Sequence, residues 1–188
     1  MRALTFSVVA LVTGISTYAQ GTVNFTNIGA GLNAPVFDVD GVTPLAGPAF
    51  RAQVYVGSSA SESSLVAFPV TVPFIFSGYF QAGSRALPGF PPGSKPFFQV
   101  RAWEAAGGAS YEAALAAGKK VGKSTVFQLQ DPVGLSDPNW GPPPPLLWGL
   151  TSFSLVPEPS AIVLGAVGGA VLLLLGRVLK TVRRPASF

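Results

Sequence analysis

The chain contains no cysteine and no histidine, carries a single methionine, and devotes only 11% of its residues to Asp, Glu, Lys and Arg. Each shortage excludes something. Without cysteine there is no disulfide framework and no thiol for a lipid anchor, so a folded domain must rest on its apolar core. Without histidine or cysteine, the Ser-His and Cys-His nucleophile systems and the soft zinc sites are closed. Charge is short in the middle of the chain in a second sense. Between residues 20 and 156, Arg51, Arg85, Lys95, Arg101, Lys119, Lys120 and Lys123 are matched one for one by Asp38, Asp40, Glu62, Glu104, Glu112, Asp131 and Asp137. The formal net charge of +4 therefore comes from Arg2, Arg177, Lys180, Arg183 and Arg184 against Glu158. A neutral body has no electrostatic footprint for nucleic acid.

Long apolar runs are confined to the two flanks. Met1-Arg2 opens the chain, residues 4–15 are mostly apolar, and Thr17 and Ala19 stand where a signal peptidase reads small residues. Residues 1–19 thus read as a secretory signal peptide cut between Ala19 and Gln20, too short for a membrane anchor. The other flank reads Pro157-Glu158-Pro159-Ser160, then an apolar run over residues 161–175, then four cations. No ionisable residue lies between Glu158 and Arg177. As a helix, residues 161–175 span roughly 22 Å and residues 161–179 about 28 Å, close to the ~30 Å hydrocarbon core. Arg177 would snorkel from the end of that span. The cations beyond Leu175 favour a cytoplasmic tail and a body on the far side of the membrane.

The order of these parts, Pro157-Glu158-Pro159, apolar helix and Arg-rich cluster, resembles the PEP-CTERM sorting signal of bacteria with an outer membrane. The resemblance covers residues 157–188, about a sixth of the chain. It implies that Pro157, Glu158 and Pro159 are read by a membrane-embedded transpeptidase-like enzyme, exosortase. It also implies that Arg177, Lys180, Arg183 and Arg184 act as the stop and orientation signal in the inner membrane. The body would then pass to the cell surface or to secreted exopolysaccharide. Residues 50–56, 103–108 and 149–154 resemble exported proteins that occur with this signal and have no assigned activity.

The body, residues 20–156, reads as one mostly β domain, an antiparallel β-sandwich with a single short helix. Residues 50–56 alternate so that Phe50, Ala52, Val54 and Val56 share a face, and residues 98–103 repeat the pattern with Phe98, Val100 and Ala102. Residues 124–129 and 150–156 alternate as well. Asp40-Gly41 predicts a hairpin turn between residues 36–39 and 42–43. Residues 70–76 form a further apolar run, which Pro73 places at an edge or a bulge. Seven or eight short strands follow from this count. Residues 110–117 predict a two-turn helix, with Ser110 as its N-cap, Glu112 at its positive end and Gly118 after it.

Candidate chemistry in the body is thin. A glycosidase needs two facing carboxylates, and Glu104 with Glu112, beside Trp103 and Tyr111, is the best pair. Asp38-Val39-Asp40-Gly41 matches part of a calcium loop, but Val42 occupies the next ligand position, and a hairpin tip is the simpler reading. Asn24-Phe25-Thr26 is a glycosylation sequon. Lys119, Lys120 and Lys123 form either a basic patch for an anionic polysaccharide or a solvated helix end. Trp140, Trp148, Tyr79 and Phe80 would stack on sugars if exposed. No cofactor or metal is expected. The expectation is an exported, non-catalytic surface or extracellular-matrix protein. Two rivals are an unprocessed single-span membrane protein and a small carbohydrate-binding or carbohydrate-active module using Glu104 and Glu112.

Overall fold

The computed structural model describes residues 20–134 and 143–157. Within them the chain is mostly β, with antiparallel sheets and one short α-helix. The strands are β1 (Gly21–Thr26), β2 (Ile28–Gly29), β3 (Leu32–Asn33), β4 (Val36–Phe37), β5 (Gly47–Gly57), β6 (Val66–Phe76), β7 (Tyr79–Leu87), β8 (Phe97–Glu104), β9 (Val121–Lys123), β10 (Phe127–Gln128) and β11 (Phe153–Ser154). The helix, α1, covers Tyr111–Ala116 between β8 and β9. The main sheet runs β1-β7-β6-β5-β8-β10, with β9 also on β8. Five of the strands have only two residues, too few for alternation to reveal; β2 and β3 pair with each other, while β4, β10 and β11 pair with distant parts of the chain.

The two patterned strands lie side by side. β5 pairs antiparallel with β8 from Phe50↔Glu104 to Gly57↔Phe97. On one face Ala52, Val54, Phe98, Val100 and Ala102 are buried, as the alternation predicts. Phe25 of β1 packs edge-on against Phe68 at 4.8 Å and Phe98 at 6.5 Å. The first strand in the sheet order therefore lies over the fifth, and the core fills the space between them. Leu129, Val133, Leu147, Leu150 and Leu155 close this core from the connecting segments.

The other face of this pair is covered as well. Gln53, Tyr55, Gln99 and Trp103 point away from the core and are buried too. α1 folds back over part of this face, sets Tyr111 and Ala114 against Trp103 and Val121, and bonds Tyr55 through Glu112, while Gln53 and Gln99 donate to the Phe68 and Ser124 carbonyls. Pro73 is also placed differently. β6 is an interior strand between β5 and β7, although its register with β7 holds only at Phe74↔Phe80 and Phe76↔Tyr79. Pro73 lies beside a register shift against β5, so the predicted irregularity is present while the predicted edge is not. Residues 124–129 shorten to β10, and residues 150–156 to β11, with Leu155 as the buried member.

The predicted turn and helix form as read. Asp38 N–H donates to the Thr43 carbonyl at 2.7 Å, and Gly41 adopts φ 72°, which a side chain would strain. The Ser110 hydroxyl accepts from Ala113 N–H at 3.1 Å, satisfying one orphan donor of the helix start. At its other end the body closes on itself. β11 runs parallel to β4, Leu155 N–H donates to the Phe37 carbonyl at 2.9 Å, and Val156 N–H donates to the Val121 carbonyl at 2.7 Å.

Candidate functional site

Among the described residues, charged and aromatic side chains concentrate under α1, on the second face of β5 and β8. Arg101, in the middle of β8, is the hub. Its Nη1 donates to Glu112 Oε1 at 2.9 Å and its Nη2 lies 3.5 Å from Glu62 Oε1. Its Nε donates to Gln99 Oε1 at 2.8 Å, and its guanidinium sits 3.8 Å from the centre of the Tyr55 ring and 5.1 Å from that of Tyr111. The Tyr55 hydroxyl donates to Glu112 at 2.8 Å, and Lys123 Nζ reaches Glu62 at 2.6 Å. A cation on β8 is tolerated against aromatic rings because both carboxylates and the ring faces meet it.

The titration directions say what this cluster can do. The hydrogen bond from Lys123 holds the Glu62 carboxyl below its ordinary range. Burial works against ionisation of Glu112, but its own backbone N–H, the Tyr55 hydroxyl and Arg101 together hold it low as well. Burial, then Glu112, pushes the Tyr55 phenol well above its ordinary value. A general acid for glycoside cleavage needs the opposite shift, a carboxyl raised toward neutrality. The cluster instead clamps α1 and the Glu62–Ser64 turn onto the sheet.

Two consequences are measurable. Both glutamates have lowered folded values, so their stabilising contribution is full above the ordinary carboxylate value near 4.5 and is lost as pH falls below it. The Tm should fall on acidification through that range, and Arg101→Met should flatten the fall. Arg101→Lys keeps the charge and loses the fork and the ring contact, and should cost about 1–2 kcal/mol at neutral pH in chemical denaturation. A Tm profile unchanged by either substitution would remove the clamp.

The remaining candidates are placed as follows. Glu104 ends β8 on the same alternation as Ala102, whereas Glu112 meets Arg101 on the opposite face, so the proposed carboxylate pair is not brought together. Glu112 is joined to Glu62 instead, through Arg101. Sequence reasoning missed that because Glu62 is remote in the chain, and only an arginine inside an apolar strand hinted at it. Lys120 and Lys123 are spent on Asp38 and Glu62, so the lysines are not an open basic patch. Asp40 accepts from Val42 N–H at 2.9 Å, from Thr43 N–H at 2.8 Å and from the Thr43 hydroxyl. The Thr43 hydroxyl, with those amides, holds its carboxyl down to about 2, and Asp38-Val39-Asp40-Gly41 is a hairpin tip. No group of metal-ligating side chains occurs among the described residues.

Of the aromatic residues considered for sugar stacking, Phe80 is buried in the core, Trp148 is half-buried against it, and the Tyr79 hydroxyl donates to Asn33 Oδ1 at 2.7 Å. Trp140 lies outside the described residues. Asn24 of the sequon stands within β1, its side-chain oxygen buried. A groove of about 410 Å³ opens at the far end of the sheet, lined mainly by Val56, Val66, Phe68, Pro69, Pro88 and Phe90. It has no titratable side chain in its wall.

Of the residues predicted to serve sorting, Pro157 is described and exposed, one position beyond the hydrogen-bonded Val156. Gln20 is exposed and immediately precedes β1. Ala19, Glu158, Pro159, Arg177, Lys180, Arg183 and Arg184 lie outside the described residues, as do the whole of the signal-peptide and helix assignments. Among the described residues no helix is long and apolar enough to cross a membrane. Comparison with protein-family models, with curated proteins and with solved structures finds no match to this chain.

Proposed function

We propose that this is an exported, non-catalytic surface or extracellular-matrix protein. On this reading a PEP-CTERM-like tail, residues 157–188, delivers a β-rich body, residues 20–156, to the cell surface and its exopolysaccharide. The observation that carries the reading is the order of motif, apolar run and basic cluster in the tail. It is supported by the described end of the body, where backbone pairing reaches Val156 and the exposed Pro157 of the motif follows directly. The inner membrane, signal peptidase and exosortase are the partners this implies, with Ala19–Gln20 as the first cut. The finer architecture, a β-sandwich, is supported by Phe25 packing edge-on against Phe68 and Phe98 across the core. The non-catalytic reading is supported by the separation of Glu104 from Glu112 and by the lowered carboxyls at Arg101.

The test is the double substitution Pro157→Ala and Pro159→Ala in the native host. Loss of processing, with the chain retained at full length in the membrane fraction, is the expected outcome. A double variant processed and exported like the wild type would remove the motif from the reading.

A further inference from the structure

The tail and the body together say which side of the body faces the lipid. Val156 is the last residue with a backbone hydrogen bond among the described residues, and the apolar run begins at Ala161. Five Cα steps separate them, at most about 18 Å of extended chain. If residues 161–179 span a bilayer, the end of the body that carries Val156 stays within about 18 Å of the lipid surface. That end is identifiable. β11 runs parallel to β4, so residues beyond Ser154 travel beside residues beyond Phe37, toward the 38–43 hairpin. The hairpin is held there. Lys120, next to Val121, bonds Asp38 at 2.8 Å, and a side chain on Gly41 would stand 3.8 Å from Ser154 Oγ.

This end is apolar where it should be wet. Val42 is 76% exposed, Val156 57% and Val39 40%, and the two hairpin valines flank the turn at its tip. Of the hairpin's two acids, Asp38 is paired with Lys120, and Asp40, exposed and ionised at the tip, accepts from the Thr43 hydroxyl and the Val42 and Thr43 amides. Apolar tips on a rigid hairpin bury favourably at the headgroup boundary, and a covalent anchor supplies the local concentration that so small a patch lacks.

We infer that the 38–43 hairpin, through Val39 and Val42 together with Val156, is a lipid-contacting surface that seats the body on the bilayer before its tail is cut. This rests on the anchored reading of residues 161–179. Contact would fix the orientation of the chain at Pro157 and hold the motif at the membrane surface. Val66, 69% exposed, pairs with Val56, which pairs with Phe98, at the opposite end of β8. That position lies about 20 Å away along the strands and is the natural control.

Because the chain has no cysteine, Val42→Cys and Val66→Cys each give one labelling site. The full chain carrying a nitroxide at either position would be reconstituted into phosphatidylethanolamine and phosphatidylglycerol vesicles. At Val42→Cys, collision with oxygen dissolved in lipid should exceed collision with a water-soluble nickel chelate several-fold, and at Val66→Cys the order should reverse. Equal aqueous access at both positions, in chain that resists carbonate extraction, would overturn the lipid contact and leave the anchor standing. Chain that does not float with the vesicles would overturn both. Shielding of Val42→Cys from the chelate without gain in oxygen collision would assign the surface to a protein partner and overturn the lipid contact.

Discussion

Trp103→Ala should cost the body about 3–5 kcal/mol, the largest single loss expected from any substitution under the helix. Trp103 is fully buried, packs against Tyr111, Ala114 and Val121, and donates its indole N–H to the Gly108 carbonyl at 3.0 Å. Removing it opens a cavity beneath α1 and strands a carbonyl in the turn that leads to the helix. The helix has six residues and no independent stability, so it should fray once its platform is gone. The Arg101 clamp depends on the same seating, because Glu112 is on α1. Denaturation monitored by circular dichroism reads the loss, and Trp103→Phe should recover more than half of it. A Trp103→Ala chain within about 1 kcal/mol of wild type would mean that α1 does not stabilise the sheet.

The second large effect concerns the closing segment. Leu155→Ala should lose about 2–5 kcal/mol, because Leu155 is 1% exposed and fills the core from the end of the chain's last described strand. Gly122 makes the close approach of that strand possible. A Cβ there would stand 2.6 Å from the Ser154 carbonyl oxygen and 2.9 Å from Leu155 Cα. Gly122→Ala should therefore push the segment off β9 and reproduce much of the Leu155→Ala loss. Truncation after Pro157 should leave the denaturation midpoint of the body unchanged, whereas truncation after Ser152 should lower it steeply. The functional consequence is a bound on processing: a cut that releases a folded body must fall beyond Val156. Equal midpoints for the two truncations would separate the fold from its last strand and remove that bound.

What could be read in the sequence was local. The alternation at residues 50–56 and 98–103 found β5 and β8 and their core face, Asp40-Gly41 found the hairpin, and Ser110 with its run of alanines found α1. What could not be read was long-range. The second face of β5 and β8 alternates polar and aromatic residues, and nothing in Tyr55 or Trp103 announces that a later helix meets them. The parallel pairing of β4 with β11 joins residues more than a hundred positions apart. Asn27 is fully buried and fastens three segments, donating to Ala34 and Gly78 and accepting from Phe80 N–H. An asparagine in a turn-rich stretch gives no sign of that role. For the candidate site, Glu112 was visible as a helix-start acid, and its partners were not. The proposed sorting residues stand apart, since that reading rests on chain order and on no tertiary contact.

The measurement that bears most directly on the function is the intact mass and C-terminal peptide of the protein recovered from its own cells. Processing at the sorting motif predicts a chain beginning at Gln20, ending near Pro157 and yielding no peptide from residues 161–175. A chain that runs intact to Phe188 in the membrane fraction would contradict it and leave a permanent single-span anchor in its place.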